Sequence, residues 1–357
     1  MENQTKNRLY FHFVVFCSLA VMALLGLVNY VVDPIGAFQT DFLRPFSPND
    51  RITHAREFKE TEGVDSLLLG SSRIGALFPS VIEKYLPGSR FFNFSVSNGG
   101  PRDYWLFLNF ALSRGCELKN VYMQLDPKDI RYAITEGNPE TAHLPEVSGE
   151  TGAFAFYLQN LFSFFPARTL AKVENQIAGG PAPEIRRERG AYVIVPDLEE
   201  ALRDPEAHVK NTPAFHKKRI RYVQGVTAAE SLGYVEKIAA LCREKNISLT
   251  VVVYPANAHY LDEICLEDFC EYLGGLAKLT GFWNFSGYNS VTTDDRMYFE
   301  ASHCLPSVHD LVLARVFNDV SVRVPEDFGS YVDSSNVADL QAEIIRSGAA
   351  RDARRAD

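Results

Sequence analysis

A serine hydroxyl attacks an acyl carbon only when a base takes its proton, and the usual base is a histidine oriented by a carboxylate. Two segments of this chain carry those parts. Gly70-Ser71-Ser72-Arg73 follows the apolar run Ser66-Leu67-Leu68-Leu69, and Glu300-x-x-His303 lies within Tyr298-Phe299-Glu300-Ala301-Ser302-His303. At a strand-to-helix turn a serine hydroxyl points out of the sheet edge, where N–H groups opening the next helix can hold an oxyanion. The Glu-x-x-His spacing lets one turn or short loop bring the carboxylate to the imidazole. Either segment alone is also an ordinary structural feature, a tight turn or a solvated ion pair. Ser72, His303 and Glu300 are therefore the candidate catalytic set, and the chemistry asks for no cofactor.

The other chemically able side chains read differently. His12 falls in an apolar run, His54 in a charged segment, and His143, His208 and His216 in a stretch without strand-helix rhythm. His259, in Pro255-Ala256-Asn257-Ala258-His259, follows an apolar run and is a candidate for the rim of a pocket. His303 and His309 have no third histidine nearby, so no metal site is read there. Cys304 adjoins His303, but neighbouring side chains in a turn point apart. The six cysteines form no CxxC pair and support no disulfide assignment.

The elements that would position these groups are short β-rich runs bounded by turn residues. They comprise Ser66 to Leu69, Phe91 to Val96, Val121 to Leu125, Leu249 to Tyr254 and, more weakly, Gly281 to Phe285. Continuous apolar runs suit strands covered on both faces. Helical patterns separate them, for instance Leu232, Val235, Ile238, Ala239 and Cys242, and later Val308, Leu311, Val312 and Val316. The alternation predicts an α/β fold, a doubly wound, mainly parallel sheet flanked by helices. In such sheets reacting groups collect beyond the carboxyl ends of the strands. That rule selects Gly70 to Arg73, Asn93 to Gly100 and Asp126 to Asp129. Residues 130–228 break the rhythm and read as an inserted cap. Its aromatic stretch, Phe154 to Phe165, reads as a core helix of the cap, with a membrane-surface helix as the alternative.

From Leu9 to Val32 the chain carries no charge, which is long enough to cross a hydrocarbon core of ~30 Å as a helix. The apolar run continues into Asp33-Pro34 without a small-residue cleavage pattern, so it reads as an uncleaved anchor. Lys6 and Arg8 precede it and the next basic residue is Arg44, which puts residues 1–8 in the cytoplasm and the body outside. The body extends from about residue 33 to 328, and residues 329–357, rich in Ser, Asp, Ala and Arg with one weakly amphipathic stretch around Val337 to Ile345, read as a flexible tail. Hydrophobic residues make up 46% and charged residues 23% of the 357, the composition of a globular protein. With 36 basic against 45 acidic side chains there is no basic footprint for a nucleic acid.

The blocks LLLGSSR, FFNFSVSNGG, VYMQLDPKD, GFWNFSGYN and MYFEASHCLP, in that order, resemble the SGNH/GDSL hydrolase superfamily. More narrowly they resemble its membrane-anchored branch of cell-envelope O-acyltransferases, of the alginate-acetylation and teichoic-acid D-alanylation type. The resemblance covers about residues 60–130 and 230–320, leaving the cap unmatched. It implies a flavodoxin-like strand order, with Ser72 as nucleophile and Ser71 where the family has aspartate. Glu300-x-x-His303 stands for the family's Asp-x-x-His, one methylene longer. Gly99 or Gly100 would give an oxyanion N–H, and Arg73 would bind substrate. Asp126 occupies the position of the family's third-block asparagine, so Asn93 or Asn98 would replace that donor, or the backbone alone would serve. The implied activity is transfer or hydrolysis of an acyl group, acetyl foremost, on an envelope exopolysaccharide. The implied location is the bacterial cytoplasmic membrane, single-pass, facing the periplasm or exterior. An acyl donor, a glycan acceptor and a multi-span membrane acyltransferase are the implied partners. The alternative is a non-catalytic polysaccharide-binding or assembly scaffold that has kept the fold.

Overall fold

The computed structural model describes residues 2–40, 42–43, 49–131, 141–149, 152–164, 166–179, 184–217 and 228–356. These form two compact units, Met1–Arg56 with Thr135–Ala182, and Glu57–Ile134 with Pro183–Asp357.

The larger unit is built on six strands: β1 (Ser66–Leu69), β2 (Phe91–Asn93), β3 (Asn120–Leu125), β6 (Ser248–Val253), β7 (Phe282–Asn284) and β10 (Ser330–Val332). Between β3 and β6 lies a hairpin of β4 (Ile185–Glu188) and β5 (Ala191–Ile194), and between β7 and β10 a small ribbon of β8 (Tyr298–Glu300) and β9 (His303–Cys304). The sheet order is β10-β7-β6-β3-β1-β2. Every pairing is parallel except β10 against β7. The strand-helix alternation predicts the mainly parallel sheet, and without that last strand its order is the 2-1-3-4-5 of doubly wound sheets, the order the resemblance implies. Leu67, Leu68 and Leu69 are wholly buried, the signature of a strand covered on both faces. On one face Leu68, Tyr122 and Val252 pack with Val308, Val312 and Leu313 of the Pro306–Val316 helix. The helices Pro101–Ser113, Ala229–Glu244 and Leu266–Leu279 neighbour one another in a second layer.

Two features of the chain's division into domains depart from the sequence reading. The chain end is folded: β10 extends the sheet and Val337–Ala356 is a helix packed on Leu266–Leu279. Its packing face is a short apolar stripe, Val337, Leu340 and the buried Ile344, in an otherwise polar and charged helix, which is why composition conceals it. Gly348 passes so close to Leu266 that a Cβ would lie 2.2 Å from Cδ1. Arg351 donates to both carboxylate oxygens of Asp262 at 2.8 and 3.0 Å, and Gln341 donates to the Cys270 carbonyl at 2.6 Å. The insertion at 130–228 is also not one cap. Residues 135–182 cluster with the N-terminal segment, whereas the chain from Pro183 belongs to the sheet unit. There Arg189 O accepts from Asn93 N at 2.9 Å and Gly75 O accepts from Tyr192 N at 2.8 Å, so the hairpin covers the free edge of β2. Residues 132–140 and 218–227, the two ends of the insertion, and Arg44 lie outside the described residues.

In the smaller unit, Glu2–Val32 is one continuous helix. Asp33 ends it with a left-handed φ of 46°, its carboxylate accepting from Phe38 N and Thr40 N and its carbonyl from Lys172 Nζ. The aromatic stretch forms a helix, Ala153–Phe162, but it is not the core helix that the sequence suggests. Phe154, Tyr157, Leu158 and Phe164 are exposed, and only Phe156 and Asn160 are buried.

Candidate active site

At the carboxyl end of β1 the chain turns sharply. The Ser71 hydroxyl accepts from Arg73 N and caps a single 3-10 turn, Ser72–Ile74. Gly70 makes this approach possible, because a Cβ there would lie 2.4 Å from Ile74 Cδ1 and 2.8 Å from Gln124 Oε1. The same Gln124 oxygen accepts from Ser71 N at 2.7 Å, so β3 fixes the turn that carries Ser72.

The second half of the site is the β8–β9 ribbon. Its register pairs Glu300 with His303 across a two-residue turn, Ala301-Ser302. His303 Nε2 lies 2.8 Å from Ser72 Oγ, and His303 Nδ1 bonds Glu300 Oε1. The other carboxylate oxygen, Oε2, accepts from Ser302 N at 2.9 Å and Ser302 Oγ at 3.1 Å. The carboxylate thus folds back over its own turn, which accommodates the extra methylene of glutamate. Burial works against its charge, but the contacts with His303 and then Ser302 outweigh that and hold the Glu300 carboxyl below its usual range. Serine, imidazole and carboxylate are in the sequential contact that nucleophile activation needs.

Arg73, expected to reach substrate, is instead buried and committed inside the protein. Its Nε pairs with the Asp126 carboxylate, its Nη1 donates to the Ser302 carbonyl at 2.7 Å, and its guanidinium lies 4.3 Å from the centre of the Tyr260 ring. Burial opposes the charge on Arg73, but Asp126 raises its pKa overall. Burial likewise opposes ionisation of Asp126, and Arg73 then keeps that carboxyl low. Asp129 accepts from Asp126 N at 2.8 Å through Oδ2, while burial and the Asp126 charge push its own carboxyl well up. These couplings were invisible in sequence. What could have flagged them is the pairing of an arginine after the serine with an aspartate at the end of the neighbouring strand, since a strand end that close to β1 must satisfy a buried cation.

Of the four expected oxyanion donors, three are already engaged. Gly99 N donates to Val96 O at 2.9 Å and Gly100 N to Asp103 Oδ2 at 3.1 Å. The Asn93 amide donates to Ile74 O and Leu77 O, because it anchors the chain after the Ser72 turn. Asn98 differs. It sits exposed in the loop after β2 at a left-handed φ of 53°, and its Oδ1 accepts from Lys128 Nζ at 2.9 Å. Its Nδ2 has no partner among the described residues, so Asn98 alone of the four keeps a donor for a ligand.

The remaining histidines do not join the set. His259 Nε2 lies 3.2 Å from Asp295 Oδ2. His309 is buried with its Nδ1 bonded to the Tyr254 hydroxyl, and burial lowers its pKa to about 3. Cys304 is buried and its thiol is pushed up to about 12, the opposite of a reactive thiolate. Among the described residues no cluster of three or more His, Cys, Asp or Glu side chains could hold a metal ion. No family model and no curated protein matches the chain.

Proposed function

We propose that this chain is a membrane-anchored serine acyltransferase or esterase of the SGNH type, acting through Ser72, His303 and Glu300. One observation carries the reading: residues 231 positions apart bring His303 Nε2 within hydrogen-bond distance of Ser72 Oγ while Glu300 holds the opposite nitrogen. In the proposed reaction His303 takes the Ser72 proton as Oγ bonds to the acyl carbon. The oxyanion that forms is met by Asn98 and by the Ser72 N–H, the one N–H of its turn with no acceptor among the described residues. His303 then passes the proton to the leaving oxygen as the donor C–O bond breaks, leaving a serine ester. In the second half a sugar hydroxyl or water gives its proton to His303 and attacks that ester, releasing an acylated sugar or a free acid and restoring Ser72.

The acceptor fits an envelope glycan and the group an acetyl, with the globular part outside the cytoplasmic membrane and a multi-span partner supplying the acyl donor. These finer points rest on the resemblance and on Lys6 and Arg8 preceding the apolar helix. The test is labelling of the full chain in detergent by a serine-directed fluorophosphonate, with turnover of a chromogenic acetyl ester. Wild type is labelled and active while Ser72→Ala is neither. Equal signals from both proteins would remove Ser72 from the mechanism. Absence of signal from both would favour the scaffold reading.

A further inference from the structure

We infer that the Ala153–Phe162 helix and Phe164 form a second membrane contact, lying in the lipid interface beside the end of the N-terminal helix. The inference rests on reading that helix as a membrane span, and it goes beyond the acyl-transfer proposal.

The helix Ala153–Phe162 contains no charged residue. At 100° per residue its two buried side chains, Phe156 and Asn160, share one face, Phe154 and Leu158 lie on the opposite one, and Tyr157 stands at the side with its ring centre 6.0 Å from that of Phe38. The apolar side of the helix therefore points away from the protein, the reverse of a soluble amphipathic helix. Phe154 and Phe164 are 80% and 78% exposed.

Continuity identifies what covers this face. At the C-terminal end of the same helix, Leu161 and Phe162 reach Gly26 of the N-terminal helix, where an added Cβ would lie 3.3 and 3.4 Å from them. Asn29 Nδ2 donates to Leu161 O at 2.9 Å and Ser163 O at 2.6 Å, satisfying carbonyls that the helix end leaves without a partner. That arrangement suits a place with little water, where an open helix end would be costly. The apolar segment Lys6–Val32 has 27 residues, about 40 Å of helix against a hydrocarbon core of ~30 Å. Its most apolar stretch is only 6% buried inside the protein, so lipid is its natural surround. Gly26 and Asn29 fall in its last turns, at the level where the core meets the headgroups. An aromatic face fixed at that depth meets the interface, where Phe and Tyr rings are favoured.

The experiment places single tryptophans in the full chain, reconstituted in phosphatidylcholine/phosphatidylglycerol vesicles with or without brominated acyl chains. Phe154→Trp and Phe164→Trp are compared with Phe16→Trp inside the span and Val320→Trp, whose side chain is 91% exposed in the sheet unit. Emission added by each variant, over that of native Trp105 and Trp283, is read against the unbrominated vesicles. Expected is at least a twofold loss for Trp substituted at 154 or 164, comparable to that at 16, and none at 320. Quenching at 16 without quenching at 154 and 164 overturns the inference while keeping the span, and implies that protein covers the aromatic face. No quenching at 16 overturns the span and the inference together. Neither result depends on catalysis, so the acyl-transfer proposal stands or falls separately.

Discussion

Replacing Asp126 with asparagine separates two readings of the third block. The resemblance puts an asparagine there as an oxyanion donor, so Asp126→Asn ought to raise activity. The structure gives the opposite expectation. Arg73 and Asp126 are 3% and 0% exposed, and removing the carboxylate leaves a buried guanidinium without its counter-ion. Breaking a buried pair from one side costs about 3–5 kcal/mol. Asparagine keeps the shape and one acceptor, and Asp129, freed from the Asp126 charge, becomes easier to ionise, which points to the lower end. At roughly 2–4 °C per kcal/mol for a domain of this size, about 3 kcal/mol lowers the melting temperature by about 6–12 °C. Arg73 also holds the Ser302 carbonyl at 2.7 Å, one residue before His303. A displacement of roughly 1 Å at His303 would cost about 10²-fold in turnover. Thermal unfolding and acetyl-ester turnover of the full chain in detergent measure both effects. Removing the cation as well, in Asp126→Asn/Arg73→Met, should recover much of the stability but not the activity. An Asp126→Asn protein that melts like wild type and turns over ester as fast or faster would refute this account of Arg73.

The triad and the core make further predictions. Glu300→Gln presents an amide N–H or a weaker acceptor to His303 Nδ1, disfavouring the tautomer that can take the Ser72 proton, and lowers kcat by about 10³–10⁴-fold. Glu300→Asp, which keeps the charge, should retain more activity than Glu300→Gln in the same assay, and the reverse order would contradict the orienting role. His309 links stability to pH. Its folded pKa is about 3 and its unfolded value about 6.5, so between them the unfolded chain holds the extra proton. Stability therefore falls as pH drops below about 6.5, by up to about 1.4 kcal/mol per pH unit from this group. His309→Gln should show a correspondingly shallower slope in urea unfolding between pH 6 and 4, and identical slopes would show that His309 takes up its proton while still folded.

What the sequence reveals and what it hides follow from how local each determinant is. β1 was legible because Leu67 to Leu69 must be buried on both faces, and the observed strand has the bounds its composition suggests. β2 ends at Asn93 instead of Val96, although Phe94 N and Val96 N still bond Leu68 O and Gly70 O. Beyond Asn93 the amide turns back to hold Ile74 O and Leu77 O, and no propensity reports such a contact. Ser72, Glu300 and His303 were legible because activation of a hydroxyl demands those residue types, and the parallel sheet decides where they meet. The oxyanion donors were not, because a glycine N–H is available or spent according to the turn that follows. Gly99 and Gly100 are spent on Val96 and Asp103. The C-terminal helix is hidden for a similar reason: its apolar stripe is short, Val337, Leu340 and the buried Ile344, and the rest of its hold comes from a close glycine contact and an Arg351–Asp262 pair that composition does not report.

The choice between transfer and hydrolysis, on the proposed mechanism, turns on how open the catalytic groups are. The His303 and Glu300 side chains are 40% and 34% exposed, so water has access to the imidazole that would activate it. A serine ester formed there is protected only when something covers it. The Glu300–His303 turn itself is not the moving part. Phe299 O of β8 is held by His208 Nε2 at 2.9 Å and Ser302 O by Arg73, while Leu305 N bonds Met297 O at 2.9 Å across the base of the ribbon, so the ribbon is closed at its base and tied at one strand and at its turn. Acceptor occupancy, rather than rearrangement of the triad, is then what diverts the acyl group from water. The ratio of acylated sugar to free acid should rise with oligosaccharide concentration while the rate of Ser72 acylation stays constant. An acylation rate that rises with acceptor would instead mean that the acceptor completes the site, and the preformed contact between His303 and Ser72 would not be the competent state.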